Sequence, residues 1–222
     1  MNQINETPVR SDTKERILDA AERLFAEQGF AGTSLRQITT EAEVNLAAVN
    51  YHFHSKESLV SAVLGRKMGP ANARRSELLD QVLREAGTSQ PAIEELLRAF
   101  LQPIFEARAA GVELSCFPRL MARLASDSSD WAAEVMSTHL KPVLDRFWPA
   151  FDWALGGVPR YKLAWAIHYC LGAMAHSLAG PPLILRFAES GAPELDQNAQ
   201  MKQLITYMAG GLRALAEKEP GQ

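Results

Sequence analysis

Residues 33–59, TSLRQITTEAEVNLAAVNYHFHSKESL, constrain the fold more than any other stretch of the chain. Ser34 is placed to cap a helix whose apolar positions Leu35, Ile38 and Ala42 fall three and four residues apart. Glu43-Val44-Asn45 breaks that pattern, and Asn45 suits the cap of a second helix from Leu46 to about His52. Ser55, followed by Lys56, Glu57 and Ser58, opens a third. Two short helices joined by a tight turn form the unit that lays its second helix in the DNA major groove.

That second helix has an unusual make-up. Ala47 and Ala48 are small enough for backbone and flanking side chains to lie close to base edges. Asn50, Tyr51 and His52 crowd polar and aromatic groups onto barely two turns. Lys56 stands in the first turn of the following helix, where free N–H groups and a cation together suit a phosphate. The alternative is a purely structural hairpin, with Tyr51 and Phe53 as core aromatics and Lys56 solvated.

The first 65 or so residues resemble the N-terminal domain of TetR-type transcriptional regulators. The resemblance rests on ERILDAAERLFAEQGFAGTSLRQIT and VNLAAVNYHFHSKESLVSAV, with Phe25, Gly29, Phe30, Thr33, Ile38, Tyr51, Phe53, Lys56 and Leu59 at the family's spacing. Asn50 and His54 stand where such regulators vary freely. The resemblance implies a DNA-contacting set of Thr33, Ser34, Arg36, Leu46, Ala47, Ala48, Asn50, Tyr51, His52 and Lys56. Within it, Arg36 reaches a guanine edge and Asn50 a base, while Ser34, Tyr51, His52 and Lys56 hold phosphates. It also implies a homodimer on a double-stranded operator.

Charge runs against a simple reading. The chain is net −3, and its first 68 residues hold eight Lys/Arg against nine Asp/Glu. On a helical wheel Asp12, Glu15, Asp19 and Glu22 form one stripe opposite Ile17, Ala21, Leu24 and Phe25, so the acids are expected to face solvent. Arg36, His52, His54 and Lys56 then surround the reading helix, and Arg10 and Lys14 belong to an arm or first turn. Modest, localised positive charge predicts a shallow salt dependence.

Helical periodicity dominates elsewhere, and an all-α fold is expected. The spacing predicts a disordered arm over 1–11, a helix-turn-helix domain over 12–54 and a connecting helix over 55–86, kinked or interrupted near Gly69-Pro70. A ligand-binding and dimerisation domain over 87–222 follows, with helices Pro91–Ala110, Leu114–Ala125, Ser129–Leu155, Arg160–Ala179 and Asp196–Lys218. The first helix should stop at Gly29. Cys116 and Cys170 lack metal or redox spacing and read as buried thiols of a reducing cytosol. No apolar run is long enough for a bilayer and the N-terminus lacks a signal-peptide core, so a cytoplasmic protein is expected.

The helix 160–179 is apolar nearly all round. Leu163, Ile167, Cys170, Leu171, Met174 and Leu178 suit a domain interior, whereas Trp165, Tyr169, Gly172 and His176 suit close approach to a partner. With Met201, Leu204, Met208 and Leu212 of the last helix they are the expected dimer interface; a monomeric helical core is the alternative. His168 and His176 lie two turns apart without a carboxylate and read as packed histidines, so no metal is expected. Glu94-Glu95 diverge on their helix and read as a solvated face. With no nucleophile or phosphate-loop motif, neither an enzyme nor a cofactor is expected.

Aromatic and aliphatic residues gather around a short segment bearing two arginines. Phe100, Ile104 and Phe105 precede it; Phe117, Arg119, Leu120 and Arg123 form it; Phe147, Trp148 and Phe151 follow, and Ile167 and Met174 complete the lining. An apolar cavity with one cationic end suits a small apolar effector such as a fatty acid or its coenzyme A ester. A planar aromatic compound stacked on Phe105 or Trp148 is one alternative. Another is an ordinary core in which Arg119 and Arg123 pair with Glu113 or Asp127. The run from Trp165 to Gly180 is diffusely similar to the fatty-acid-responsive branch of the family. A helical binding protein or enzyme with a merely structural hairpin is the competing class.

Overall fold

The computed structural model describes residues 9–110, 120–121, 123–124, 127–178, 187 and 195–216. Among them the chain forms eight helices and no strand, as the periodicity predicts: α1 (Val9–Gly32), α2 (Leu35–Glu41), α3 (Leu46–Phe53), α4 (Lys56–Ala86), α5 (Ile93–Ala109), α6 (Asp130–Ala154), α7 (Arg160–Leu178) and α8 (Gln197–Ala216). Cys116, Phe117 and Arg119 lie outside the described residues, as does most of the helix expected over Leu114–Ala125. Helix α1 starts at Val9, so the last three residues of the expected arm are helical. No described helix is long and apolar enough to cross a membrane.

The chain divides into two compact units. One comprises Met1–Gly69 and Leu114–His139, the other Pro70–Glu113 and Leu140–Gln222. Helices α4 and α6 each contribute to both, so the units cut across the expected boundary at residue 87. Helix α4 runs on through Pro70 rather than giving way to a loop. Pro70 is exposed, so water can bond the carbonyl that its missing N–H leaves free.

In the first unit α1 buries Ile17, Ala21, Leu24 and Phe25, the apolar stripe of its wheel, beside Ile38, Val49, Phe53, Leu59 and Leu64. The opposite stripe is not simply solvated. Arg66 of α4 donates to Glu15 at 3.1 Å, Asp19 at 2.7 Å and Glu22 at 2.9 Å, and Lys67 pairs with Glu22 at 3.1 Å. Glu22 is only 7% exposed, so two cations replace the water it loses. Periodicity places the acids opposite the core but says nothing of the cations that α4 brings to them.

Gly29 interrupts α1 with φ 75° and ψ 174°, a backbone that L side chains rarely adopt. A Cβ there would also lie 2.9 Å from Arg123 Nη1, so the guanidinium would have to shift. The Arg123 guanidinium donates to the carbonyls of Ala26 at 3.1 Å and Glu27 at 2.9 Å, in the turn just before the break.

In the second unit α5, α6, α7 and α8 enclose a core that includes Leu96, Leu101, Phe147, Phe151, Leu163 and Met208. Helix α8 packs against α5 and α7. Its stripe Met201, Leu204, Ile205, Met208 and Leu212 is buried within the chain.

Candidate functional site

The hairpin of α2 and α3 is held by reciprocal caps. Ser34 Oγ accepts from the Gln37 N–H at 3.2 Å while the Ser34 N–H donates to Gln37 Oε1 at 2.7 Å. Asn45 Oδ1 accepts from the Ala48 N–H at 2.8 Å and starts α3. Between them Glu43 takes a left-handed conformation, φ 53°, and its carbonyl accepts from Arg16 Nη2 at 2.8 Å. Arg23 pairs with Glu41 next to this turn. The turn geometry is thus fixed from α1.

Helix α3 buries Val49 and Phe53 and leaves Leu46, Ala47, Asn50 and Tyr51 exposed, with Ala48 and His52 half-buried. Tyr51 is 67% exposed, so it is not the core aromatic of a purely structural hairpin, whereas Phe53 is. Arg36, exposed on α2, makes no side-chain hydrogen bond or ion pair among the described residues. By contrast Arg16, Arg23, Arg66 and Lys67 are engaged within the unit. Near-zero charge in this region therefore conceals, among the described residues, an exposed and unpaired cation on α2.

One expected contact changes character, and a second, Lys56, is partly covered. Thr33 is 2% exposed, and its hydroxyl donates to the carbonyls of Gly29 at 2.8 Å and Leu24 at 3.1 Å. It closes the end of α1 and is not available to a phosphate. Lys56 Nζ sits 4.0 Å from the centroid of Phe30, whose ring stacks on Trp131 at 3.8 Å. Partial burial lowers the Lys56 pKa, with the Glu57 charge opposing.

In the second unit Phe100, Phe147 and Ile167 line an apolar cavity together with Leu97, Leu101, Leu144, Phe151, Cys170, Leu171, Met208 and Leu212. It holds only about 20 Å³, roughly room for one water by the usual measure. Burial pushes the Cys170 thiol up to about 11, leaving it neutral at physiological pH. Ile104, Phe105, Trp148 and Met174 belong to this unit but not to the cavity wall; Arg160 lies over the Trp148 ring at 5.0 Å. Leu120 and Arg123 belong to the first unit instead. Periodicity could not reveal that Arg123 serves the α1 break. Arg123→Met is expected to cost about 1 kcal/mol of stability, read by thermal melting, without altering any effector response.

The expected dimer set separates into two groups. Trp165 and Tyr169 are 58% and 65% exposed, and Gly172 and His176 are exposed beside them. Met201, Leu204, Met208 and Leu212 instead fill the core of their own chain and cannot face a partner. The free face of α8 carries Tyr207, 74% exposed, with Gly210 and Gly211. His168 and His176 are exposed rather than packed, and the His168 ring meets Trp165 edge-on at 5.7 Å. No group of three or more metal-ligating side chains occurs among the described residues. Glu94 lies on a partly solvated face, as expected, and is also bonded to Arg213 at 2.6 Å, which holds its carboxyl below the usual range.

Residues 98–211 match the family model "Tetracyclin repressor-like, C-terminal domain", and residues 17–63 match "Bacterial regulatory proteins, tetR family". The chain belongs to the TetR family of transcriptional regulators. Among its TetR-family relatives is the probable HTH-type transcriptional regulator YttP of Bacillus subtilis, 27% identical over 60% of this chain and 59% of that protein. The HTH-type transcriptional repressor Rv3405c of Mycobacterium tuberculosis is 47% identical over 25% of this chain and 29% of its own length. The matched stretches thus span less than two thirds of either relative. The fold is also that of HlyIIR, a hemolysin II transcriptional regulator (TM-score 0.58, 22% identity, 94% of this chain, 99% of that one). FadR from Bacillus subtilis, solved in complex with stearoyl-CoA, shares it too (TM-score 0.61, 17% identity, 89% and 98%).

Proposed function

We propose that the protein is a dimeric cytoplasmic repressor that binds a two-fold symmetric operator and releases it when a small apolar effector enters the second unit. The carrying observation is the exposed face of α3, Leu46, Ala47, Asn50 and Tyr51, presented on a doubly capped hairpin beside the unpaired Arg36. Such a face reads base edges, with Arg36 on a guanine and Asn50 on a neighbouring base; Ser34, Tyr51, His52 and Lys56 hold phosphates. Binding energy then comes from few charges, and the salt dependence is shallow.

Arg36→Ala should cost about 1–3 kcal/mol on the operator and relax a single position of it. Lys56→Ala should weaken specific and random DNA alike and flatten the salt slope. Both are read by fluorescence anisotropy at several salt concentrations. Equal losses on specific and random DNA for Arg36→Ala would remove that residue from base reading.

The exposed aromatic face of α7 and α8, Tyr161, Trp165, Tyr169 and Tyr207, supports the dimer, since a partner would cover rings that otherwise face water. The apolar lining of the cavity supports an apolar effector, and the stearoyl-CoA bound by FadR is consistent with an acyl compound. At about 20 Å³ the cavity must widen before it holds a chain. Effector binding therefore selects a more open arrangement, which is the differential affinity that coupling to DNA requires.

A further inference from the structure

We propose that Arg75 is the anchor for an anionic head group at the effector cavity, so that the effector is an apolar chain ending in one carboxylate. This rests on the reading of the second unit as an effector-binding unit. Arg75, on the part of α4 that belongs to that unit, is only 3% exposed. Its Nε donates to the Phe100 carbonyl at 2.8 Å and its Nη1 to Asn72 Oδ1 at 2.7 Å. Among the described residues no carboxylate pairs with it, and Nη2 donates to none of them. A buried cation without a counter-charge is among the costliest arrangements in a folded chain. Burial lowers the Arg75 pKa to about 10, so the group is still charged at neutral pH.

Fastening the Phe100 carbonyl, on the turn of α5 just before Pro103, needs a donor but not a full charge. The charge has a use where the guanidinium lies, 4.4 Å from the centroid of the Phe100 ring. That ring is also part of the cavity wall, beside Leu97, Leu101, Phe147 and Ile167. Cation and cavity thus share one side chain as a partition. A change of the Phe100 rotamer joins them into a site with an apolar interior and a single cationic end. A carboxylate there supplies the missing counter-charge and accepts a charge-assisted hydrogen bond from Nη2.

The test is calorimetric titration of the full-length protein with decanoate and with decan-1-ol, both below micellar concentration. The wild-type protein should bind decanoate at least about tenfold more tightly than the alcohol, a comparison that needs no variant to fold. Arg75→Met should erase that preference while alcohol affinity stays within about threefold, and Arg75→Lys, which keeps the charge, should retain part of it. A wild-type protein that binds both equally, or an Arg75→Met protein that still prefers the acid, would make Arg75 only a fastening for Phe100 and Asn72. Should neither compound bind the wild-type protein, the effector reading fails and the anchor falls with it.

Discussion

Gly172→Trp is expected to leave the chain helical and stably folded, to make it monomeric, and to reduce operator affinity by about 10²–10⁴-fold. Gly172 is exposed on α7, and a Cβ built there meets, beyond its own stretch of helix, no heavy atom within 4 Å among the described residues. An indole therefore has room in a single subunit, and replacing a mid-helix glycine does not weaken the helix. Across a dimer interface the same indole keeps two helices from the close approach that small residues permit. Loss of the dimer removes the second reading helix, and with it the effective concentration that ties one head to its half-site once the other has docked. Sedimentation velocity reads the assembly and anisotropy the affinity. A Gly172→Trp protein that stays dimeric at low micromolar concentration would place the interface elsewhere.

Phe147→Ala is expected to cost about 3–5 kcal/mol, a large share of the roughly 5–15 kcal/mol that holds a typical domain together. Phe147 is 1% exposed, meets Phe100 edge-on at 5.3 Å and lies 6.2 Å from Phe151. It also lines the apolar cavity, so truncation adds the volume of its ring to a void that is already present. That enlarged void has a second consequence. Short apolar compounds should raise the melting temperature of the variant more than that of the wild-type protein, because they refill lost contacts. Denaturant unfolding with and without such a compound measures both. A cost below about 1 kcal/mol would mean that the ring contributes little to this core.

The hairpin was legible in the sequence because its determinants are local. Ser34 with Gln37, Asn45 with Ala48, and Gly29 at the break of α1 act within a few residues of one another. The alternation of buried Val49 and Phe53 with exposed Asn50 and Tyr51 follows from helical spacing alone. What spacing conceals are partners far along the chain. Thr33 matches the family pattern, yet its hydroxyl is taken by Leu24 and Gly29. Arg123 stands nearly a hundred residues from the carbonyls it serves, and Trp131 is equally remote from Phe30. A cation among aromatics in sequence is not thereby a cation beside a cavity: Arg123 lies in the other unit, while Arg75, with no aromatic neighbour in the chain, lies over Phe100.

Apolar stripes carry a different ambiguity. Met201, Leu204, Met208 and Leu212 would serve equally well inside a subunit or between two, and composition alone cannot choose. The choice falls to the neighbours: α5 and α7 already cover that stripe, whereas Trp165 and Tyr169 stay 58% and 65% exposed.

Selection of bound sequences from random duplex DNA by the wild-type protein, followed by footprinting of the winners, reads operator recognition by the dimer without any variant. The expected result is a two-fold symmetric site protected by a dimer, with half-sites about 34 Å or a multiple of it apart on one face of the duplex. Arg36→Ala should lose selectivity at one symmetric pair of positions within it. A protein that enriches no sequence and protects no DNA even at low salt would not be a sequence-specific DNA-binding regulator.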